Sequence, residues 1–562
     1  MKARSPVTLE AFATHEVFNQ TPAFVEVDLA SLDKPMLGAL AAFGEESDAK
    51  KIVAHGPILG SAENLELARL ANENPPKLKL FDARGERQDF VEFHPAYHAL
   101  MRASIGAGLA SSTFEAHAPK LASPPGKLHG KGNVARSALH YLTSGVEAGH
   151  LCPVTMTHAG IAALAAAPDH FEKLMPLIFS RVYDASFRPF WEKQGVTLGM
   201  GMTEKQGGSD VRANTTRAER IAKDEYEITG HKWFFSAPMC DAFLVLAQAA
   251  GGLTCFLMPR FRPDGALNGL RLQRLKDKLG NRSNASSEVE FVKAFAWRVG
   301  EEGRGVATII EMVQLTRLDC ISASAGLMRM GLALAMHHAR HRIVFQRKLV
   351  DQPAMRSTLA DLALTVEGAA ALVLRLARAF DRASEDASEA QYARLITPAA
   401  KFVVCKAAPA FLYEAMECLG GNGYVEESPL PRLYREAPVN AIWEGCGNIM
   451  ALDVLRGASR DTDAAHGVLT DLVRDTQGLP GVKAAKQRIE VGLAKSDAET
   501  SARAVTQDFA TLATVAALAR CAPAAIVEAF ARTRLARSSL VVGTAELSSE
   551  CGELLARALP TG

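Results

Sequence analysis

The stretch Gly201-Met202-Thr203-Glu204-Lys205-Gln206-Gly207-Gly208-Ser209-Asp210 sets two adjacent glycines between hydroxyl residues. Gly207 and Gly208 permit a tight turn and left-handed backbone, and they present bare N–H groups to a ligand. Thr203 and Ser209 add donors without net charge. Such a loop suits a phosphate or a polar ring edge. Gly-Gly and Ser-Asp are also ordinary turn residues, so the loop alone fits a polar connection equally well.

The surroundings of the loop carry the fold. On its N-terminal side, from Pro95 to about Gly195, the pattern is helical, with Ser137–Gly149 and Thr155–Ala167 rich in Ala and Leu. Residues 1–90 are mixed: Thr14–Thr21 reads as an irregular arm, and Ser61–Ala71 as a helix capped by Ser61 and stopped by Asn74-Pro75-Pro76. Downstream, from Val196 to Arg298, short runs rich in β-branched and aromatic residues alternate with turn signals; Tyr226–Thr229, Lys232–Phe235, Phe243–Ala247, Thr254–Met258 and Glu288–Phe291 are examples. That spacing predicts a β-barrel or sandwich with the Gly-Gly loop at its entrance. Helices then resume over Val306–Val344, Met355–Ala383, Tyr392–Leu419 and from Trp443 to Arg456. An Ala-rich helical segment, 457–562, closes the chain behind the polar stretch Gly457–Asp463. Four regions follow: an N-terminal arm and helical domain (1–195), a β domain (196–300), a helical bundle (301–456) and a helical extension (457–562), an α+β chain in which a β domain interrupts helices.

Composition narrows the function. With 562 residues, 48% hydrophobic and 22% charged, the chain is globular in character, and a formal net charge of +1 gives no general pull towards nucleic acid or anionic membrane. Nine scattered cysteines form no Cys-x-x-Cys pair, which predicts reduced thiols and a cytoplasmic protein with neither a disulfide framework nor a zinc site. The N-terminus has no export-type apolar core, and no run of about 18 apolar residues predicts a membrane span. His337 and His341 form an i,i+4 histidine pair without a third partner, so no metal is expected. The nucleophile-elbow, P-loop and Rossmann glycine patterns are missing.

Three other stretches could carry chemistry. In Asn440–Asn448, Glu444 follows Ile442 and Trp443 and precedes two glycines; a carboxylate in apolar surroundings has a raised pKa and makes a better base near neutral pH. A solvated glutamate at a helix start is the alternative. Leu419-Gly420-Gly421-Asn422-Gly423-Tyr424 reads either as a helix C-cap and turn or as a loop against a cofactor. Arg342, Phe345, Arg347 and Lys348 read either as cations at a helix C-terminus or as a clamp for a phosphate and a purine ring.

Taken in order, these motifs resemble the acyl-CoA dehydrogenase superfamily: Met202-Thr203-Glu204 through Gly208-Ser209-Asp210, Lys232–Ser236, Arg282-Ser283-Asn284 before Glu288–Phe291, Arg342 with Phe345, the Leu419–Gly423 turn and Trp443-Glu444-Gly445. The wording of Met202–Val211, Lys276–Ser286 and Ile442–Arg456, with the N-terminal arm and the C-terminal extension, is similar to the AidB-type branch. The resemblance implies a helical domain, a β-barrel domain, a four-helix bundle and an extra helical domain, with FAD between barrel and bundle. It implies Met202 and Thr203 at the flavin ring, Ser209 at the pyrophosphate with Gly208 beside it as a further cofactor-binding residue, Trp233, Phe234 and Ser236 on the other flavin face, and Arg342 and Phe345 reaching a neighbouring subunit's FAD in a homotetramer. Gly420 and Gly421 would abut the adenosine half. Glu444 would be the α-proton base for desaturation of an acyl thioester, Trp443 beside it a cofactor-binding residue, and Asn448 a flavin-side contact. Phe234, Gln346, Glu417 and Cys446 depart from the family's usual Trp, Gly, Gln and Thr or Ser. The branch also implies a link to alkylation damage and binding of double-stranded DNA through 457–562. Charge speaks against the DNA surface: from Arg460 to Gly562 there are 12 Lys+Arg and 12 Asp+Glu, a net of 12 − 12 = 0. The local clusters Lys483, Lys486, Arg488 and Arg532, Arg534, Arg537 read as solvated helix faces.

Overall fold

The computed structural model describes residues 14–115, 130–536, 547 and 549–559. The arm is irregular up to the first helix and is tied to a distant one: Asn19 Nδ2 donates to Ile343 O (2.8 Å), and Thr21 Oγ1 meets His338 Nδ1 (2.9 Å). Seven helices form the N-terminal region: α1 (Lys34–Phe43), α2 (Glu46–Leu59), α3 (Ala62–Glu73), α4 (Pro95–Gly106), α5 (Asn133–Val146), α6 (Leu151–Leu164) and α7 (Pro168–Phe179). Ser61 caps α3 through Asn64 N (3.2 Å). Between α3 and α4 lies an antiparallel hairpin absent from the sequence reading, β1 (Lys77–Phe81) with β2 (Arg87–Glu92).

The middle region contains β3 (Leu198–Gly201), β4 (Arg217–Arg220), β5 (Glu225–Ser236), β6 (Ala242–Ala249), β7 (Gly252–Pro259), β8 (Leu270–Leu275) and β9 (Ser286–Val299). The pairings β4–β5, β5–β9, β9–β7, β7–β6 and β6–β4 close a ring, so the sheet is barrel-like; β3 and β8 flank it on β6 and β9. Its aromatic core is compact: Phe235 lies 4.5 Å from Phe243 and 5.9 Å from Phe291, ring centre to ring centre. In β5 the register slips between Lys232 and Phe235. This bulge lets two side chains three residues apart both point inward, Lys232 and Phe235 being fully buried, while Phe234 between them is 54% exposed.

The bundle is built on α8 (Gly305–His341), α9 (Pro353–Arg382) and α10 (Ala387–Glu417), followed by the short turn α11 (Gly421–Tyr424), α12 (Leu430–Asn440) and α13 (Gly447–Arg460). The helix expected through Val344 ends at His341, because Ile343–Val344 turns back to pair with Arg347–Lys348 through left-handed Phe345 and Gln346. α10 continues through Pro398 and Pro409, gripped by α8, α9 and α12. The helix expected from Trp443 starts four residues later, at Gly447. α8 and α10 are long and apolar enough to cross a membrane by length and composition, and both bury their apolar residues in the bundle core.

The extension comprises α14 (Thr462–Asp475), α15 (Val482–Ala494), α16 (Ala502–Cys521), α17 (Ala524–Phe530) and α18 (Cys551–Ala558). It is not a separate body. α16 packs on α9, α10 and α13, and its Phe509 and Leu512 belong to the same buried core as α5, α8 and α9, whereas the barrel has a core of its own.

Candidate active site

Two loops carry the predicted residues. The first, 202–210, leaves β3 at the end of the barrel. Its backbone is stitched to β5 by Trp233 N donating to Thr203 O (2.9 Å), and Asn214 Nδ2 donates to Met202 O (2.9 Å). Glu204, unnoticed as a functional residue in the sequence, anchors it. Its carboxylate is fully buried and accepts from Lys232 Nζ (2.9 Å), Thr215 N (2.7 Å), Thr216 N (3.1 Å) and Gln206 Nε2 (2.7 Å). Burial opposes the charge, but the Lys232 ammonium and these donors hold the carboxyl well below its ordinary range. Burial likewise lowers the Lys232 amine to about 8 against the pull of Glu204. With its root fixed, the loop's tip is free: Ser209 is exposed, and a methyl group on Gly207 would meet no atom within 4 Å. Trp233 is half-buried under three cations, with Lys276 Nζ 3.2 Å, Lys205 Nζ 5.8 Å and the Arg274 guanidinium 5.9 Å from its ring centre. Ser236 Oγ meets Ser286 Oγ at 3.1 Å.

The second loop, 440–448, joins α12 to α13. Glu444 is held at a φ of +58°, followed by Gly445 at +101°. A non-glycine residue there costs on the order of 1–3 kcal/mol and persists only where its surroundings impose it. Two cations do so. Lys401 Nζ, buried in α10, donates to Asn440 O and Gly445 O (2.9 Å each), and Arg317 Nε on α8 donates to Glu444 O (3.1 Å) while its Nη1 pairs with Asp453 (2.7 Å). Trp443 Nε1 donates to Asn440 Oδ1 (3.0 Å). The Glu444 side chain meets Thr316 Oγ1 on α8 at 2.8 Å, a hydroxyl that also lies 3.0 Å from Val313 O, so its one proton is shared between two acceptors.

Burial pushes the Glu444 carboxyl up from the ordinary carboxylate range, opposed by Thr316, Arg317 and Lys401. The source of that burial differs from the expectation. Ile442 is 65% exposed; the groups that act on Glu444 are Thr316 and Arg317 of α8 and Lys401 of α10. Nor does Glu444 start a helix, since α13 begins three residues later with Cys446 as its cap. The Cys152 thiol, at the start of α6, belongs to the same neighbourhood: burial raises it to about 11, and Lys278, Asn284, Ser236 and Glu444 all lie near enough to act on it. Cys152 thus feels groups of the barrel, Ser236 among them, and, at longer range, the Glu444 charge of the bundle. A cavity of about 1000 Å³ borders these barrel groups, lined by Lys278, Asn284, Ser286, Arg432 and Glu436 but not by Glu444.

The remaining predicted residues make other contacts. Arg342 Nη1 donates to Asn19 O (2.7 Å), and Phe345, in the turn between Ile343–Val344 and Arg347–Lys348, is 90% exposed. Gly420, at a φ of +60°, and Gly421 face open space, and a methyl group on either would meet no atom within 4 Å. Asn448 Oδ1 accepts from Arg503 Nη1 of the extension (2.7 Å). Thr316, Arg317, Lys401 and Cys152 escaped the sequence reading: each is an ordinary residue of an apolar helix, made significant only by a loop distant in the chain. Among the described residues no group of three or more potential ligands could hold a metal.

Residues 19–185 match the adaptive response protein AidB N-terminal domain, 199–294 the acyl-CoA dehydrogenase middle domain and 303–459 the acyl-CoA dehydrogenase C-terminal domain. The AidB protein of Escherichia coli (strain K12), named as a putative acyl-CoA dehydrogenase, is 50% identical over 466 residues, covering 83% of this chain and 84% of its own length. Acyl-CoA dehydrogenase family member 11 of Caenorhabditis elegans is 34% identical over 411 residues, 70% of this chain and 64% of its own. The crystal structure of Caenorhabditis elegans ACDH-11 in complex with C11-CoA superimposes with a TM-score of 0.81 at 27% identity, covering 95% of this chain and 96% of that one. The chain belongs to the AidB-type branch of the acyl-CoA dehydrogenase family, FAD-dependent oxidoreductases that act on CH–CH bonds.

Proposed function

We propose that this protein desaturates an acyl thioester, with Glu444 as the base that removes the α-proton and FAD seated between barrel and bundle. One observation carries the reading: a carboxylate in a strained loop whose side-chain partner is the neutral Thr316 hydroxyl, raised by burial. The residues suit a planar ring with a phosphate tail. Phe234 offers an exposed aromatic face, Met202 and Thr203 a fixed edge, and Gly207 with Ser209 an open backbone turn. Gly208 stays glycine for a packing reason, since a methyl group there would lie 2.4 Å from Thr203 Oγ1.

When bound, FAD supplies the acceptor for the hydride that leaves the β-carbon. The chain's residues do the rest. Glu444 takes the α-proton and becomes neutral, which its burial favours. Thr316 orients the carboxylate, Arg317 and Lys401 keep the loop in its strained form, and the Cys152 thiol, raised to about 11, stays protonated and adds no charge. The test is flavin absorbance of the purified protein, then its bleaching by a panel of acyl thioesters. Glu444→Gln is expected to slow bleaching roughly 10²- to 10⁴-fold, the usual contribution of a general base. Equal bleaching by both proteins removes Glu444 from the role.

Assembly and cell context belong to the same proposal. An exposed Phe345 beside Arg342 suits contact with a neighbouring subunit in a homotetramer, measurable by light scattering. Nine free cysteines suit the cytoplasm. A role in the alkylation response through duplex DNA on 457–562 finds less support: Arg488 pairs with Asp508, Arg532 with Glu550 and Arg534 with Asp361, while Arg537 lies outside the described residues. Duplex binding that weakens steeply with salt and is lost on charge reversal of Lys483 and Lys486 would restore it.

A further inference from the structure

The catalytic loop is held by a third cation, and it comes from the extension. Arg503 stands in the first turn of α16, where its Nη1 donates to Asn448 Oδ1 (2.7 Å) and its guanidinium lies 5.1 Å from the Phe402 ring centre. Lys406 Nζ lies 5.7 Å from the same ring and close to Gly447. Asn448 is the second residue of α13, four positions after Glu444. Lys401 and Arg317 therefore fix the loop from within the bundle at Asn440, Glu444 and Gly445, and Arg503 fixes its far end from outside it. Among the described residues no carboxylate pairs with Arg503, so its directed contacts are to the loop and to the ring beneath it.

We infer that Arg503 is a positioning residue for Glu444, and that the extension is a working wall of the active site. A strained loop keeps its geometry only while every anchor holds. Releasing Asn448 frees the start of α13 and lets the left-handed Glu444–Gly445 pair relax, which carries the carboxylate away from Thr316. The same contact passes any ligand or distortion on α16 to the base. The inference rests on Glu444 being the base, but its first readout does not.

The experiment compares the full-length wild type, Arg503→Ala, Arg503→Lys, Asn448→Ala and the double variant Arg503→Ala/Asn448→Ala. Arg503 is exposed, so its removal leaves the core intact. Amide hydrogen exchange of 440–450 is expected to quicken about 3- to 10-fold in Arg503→Ala, as for loss of one charge-assisted surface hydrogen bond. Exchange in the barrel should stay unchanged and Arg503→Lys should restore part of the protection. The double variant should be no worse than either single change. In the FAD-loaded protein, Arg503→Ala should also move the pH dependence of flavin bleaching by acyl thioester, whereas a purely structural change would lower its amplitude at every pH alike. Unchanged exchange in 440–450, additive single changes, or an unmoved pH profile overturns the inference. If Glu444→Gln bleaches like wild type while exchange responds as expected, the base assignment fails and the anchoring stands.

Discussion

The two loops that carry the site solve one problem in opposite ways. The 202–210 loop buries an ion pair beneath itself: Glu204 and Lys232 are both fully buried, and the carboxylate collects backbone donors from Thr215 and Thr216. The loop's own conformation is easy, with its awkward turn left to Gly207. The 440–448 loop has no buried ion pair of its own. It puts a glutamate in left-handed backbone and holds it by cations that donate to its carbonyl oxygens. The first arrangement leaves a passive edge with neutral donors at the tip. The second directs its cations at the backbone and so leaves the Glu444 carboxylate with one neutral hydroxyl partner, Thr316, instead of an ion pair. A carboxylate in an ion pair would be held too acidic to act as a base. On the function proposed above, the difference separates a loop for binding from one for proton transfer.

Breaking the first loop should cost most in stability. Glu204→Gln leaves the Lys232 ammonium buried without its countercharge, and about 3–5 kcal/mol of destabilisation is expected in a denaturant titration. A loss under 1 kcal/mol would mean that Lys232 sheds its proton freely, a response the variant favours, because burial lowers the amine and Glu204 is the group that raises it.

Lys401→Met tests the second loop. It strips donors from two carbonyls at once, each unsatisfied group costing about 1–3 kcal/mol when buried, less whatever water repairs. Its signature should differ from that of Glu204→Gln: bleaching by thioester falls more than stability does, because the loop relaxes while the bundle stays packed. If both variants lose stability and leave the rate intact, the two loops are merely two anchors and the contrast between them collapses.

The contrast also explains which parts of the site were legible in the sequence. Glycines and Glu444 announce themselves because their neighbours in the chain are unusual. The supports do not. Thr316 is one of several hydroxyls in the 37-residue α8, Lys401 one of two lysines in α10, and each matters only because a loop distant in the chain arrives beside it. The fold followed similar lines. Long helices and the barrel's strands show in apolar period and turn residues, whereas β1 and β2 are two short strands of five and six residues, and the Lys-Leu alternation of β1 spans too few residues to stand out beside the helix stop at Pro75-Pro76. Helix ends were misplaced where a specific turn won: at Arg342, where the arm's Asn19 bonds both Arg342 and Ile343, and at Trp443, where Lys401 and Arg317 hold an irregular loop in place of a first helical turn.

Thr316→Val should change the pH response of the second loop alone. The hydroxyl favours the charged form of Glu444, so its loss raises a carboxyl that burial has already raised. Bleaching needs the deprotonated base, so its rate rises with pH through that value, and the rise should move to higher pH in the variant. The sign for stability is opposite. Between the ordinary carboxyl value and the raised one, the folded protein keeps a proton the unfolded chain has released, so stability falls as pH increases through that window and the variant extends the fall upward. A hydrogen bond to a charged group contributes about 1.5–3 kcal/mol, so the change in rate at fixed acid pH should be clear. A rise that stays in place would remove Thr316 as the partner that tunes the base.

The smallest effect is the most specific. Gly421→Ala adds a methyl group that meets no atom within 4 Å, on a backbone whose φ is not left-handed. Nothing in the chain objects, so melting of the flavin-free protein should shift by no more than about 0.5 kcal/mol, the range of an ordinary surface change. The neighbouring Gly420→Ala is the internal control: its φ of +60° makes alanine strained even in open space, so it should destabilise the flavin-free protein while Gly421→Ala does not. If a cofactor or a neighbouring subunit approaches this turn, Gly421→Ala will weaken flavin retention or assembly without touching the melt. Should flavin retention and assembly both stay at the wild-type level, the turn is a helix C-cap and nothing more, and the binding edge of the molecule ends with the 202–210 loop.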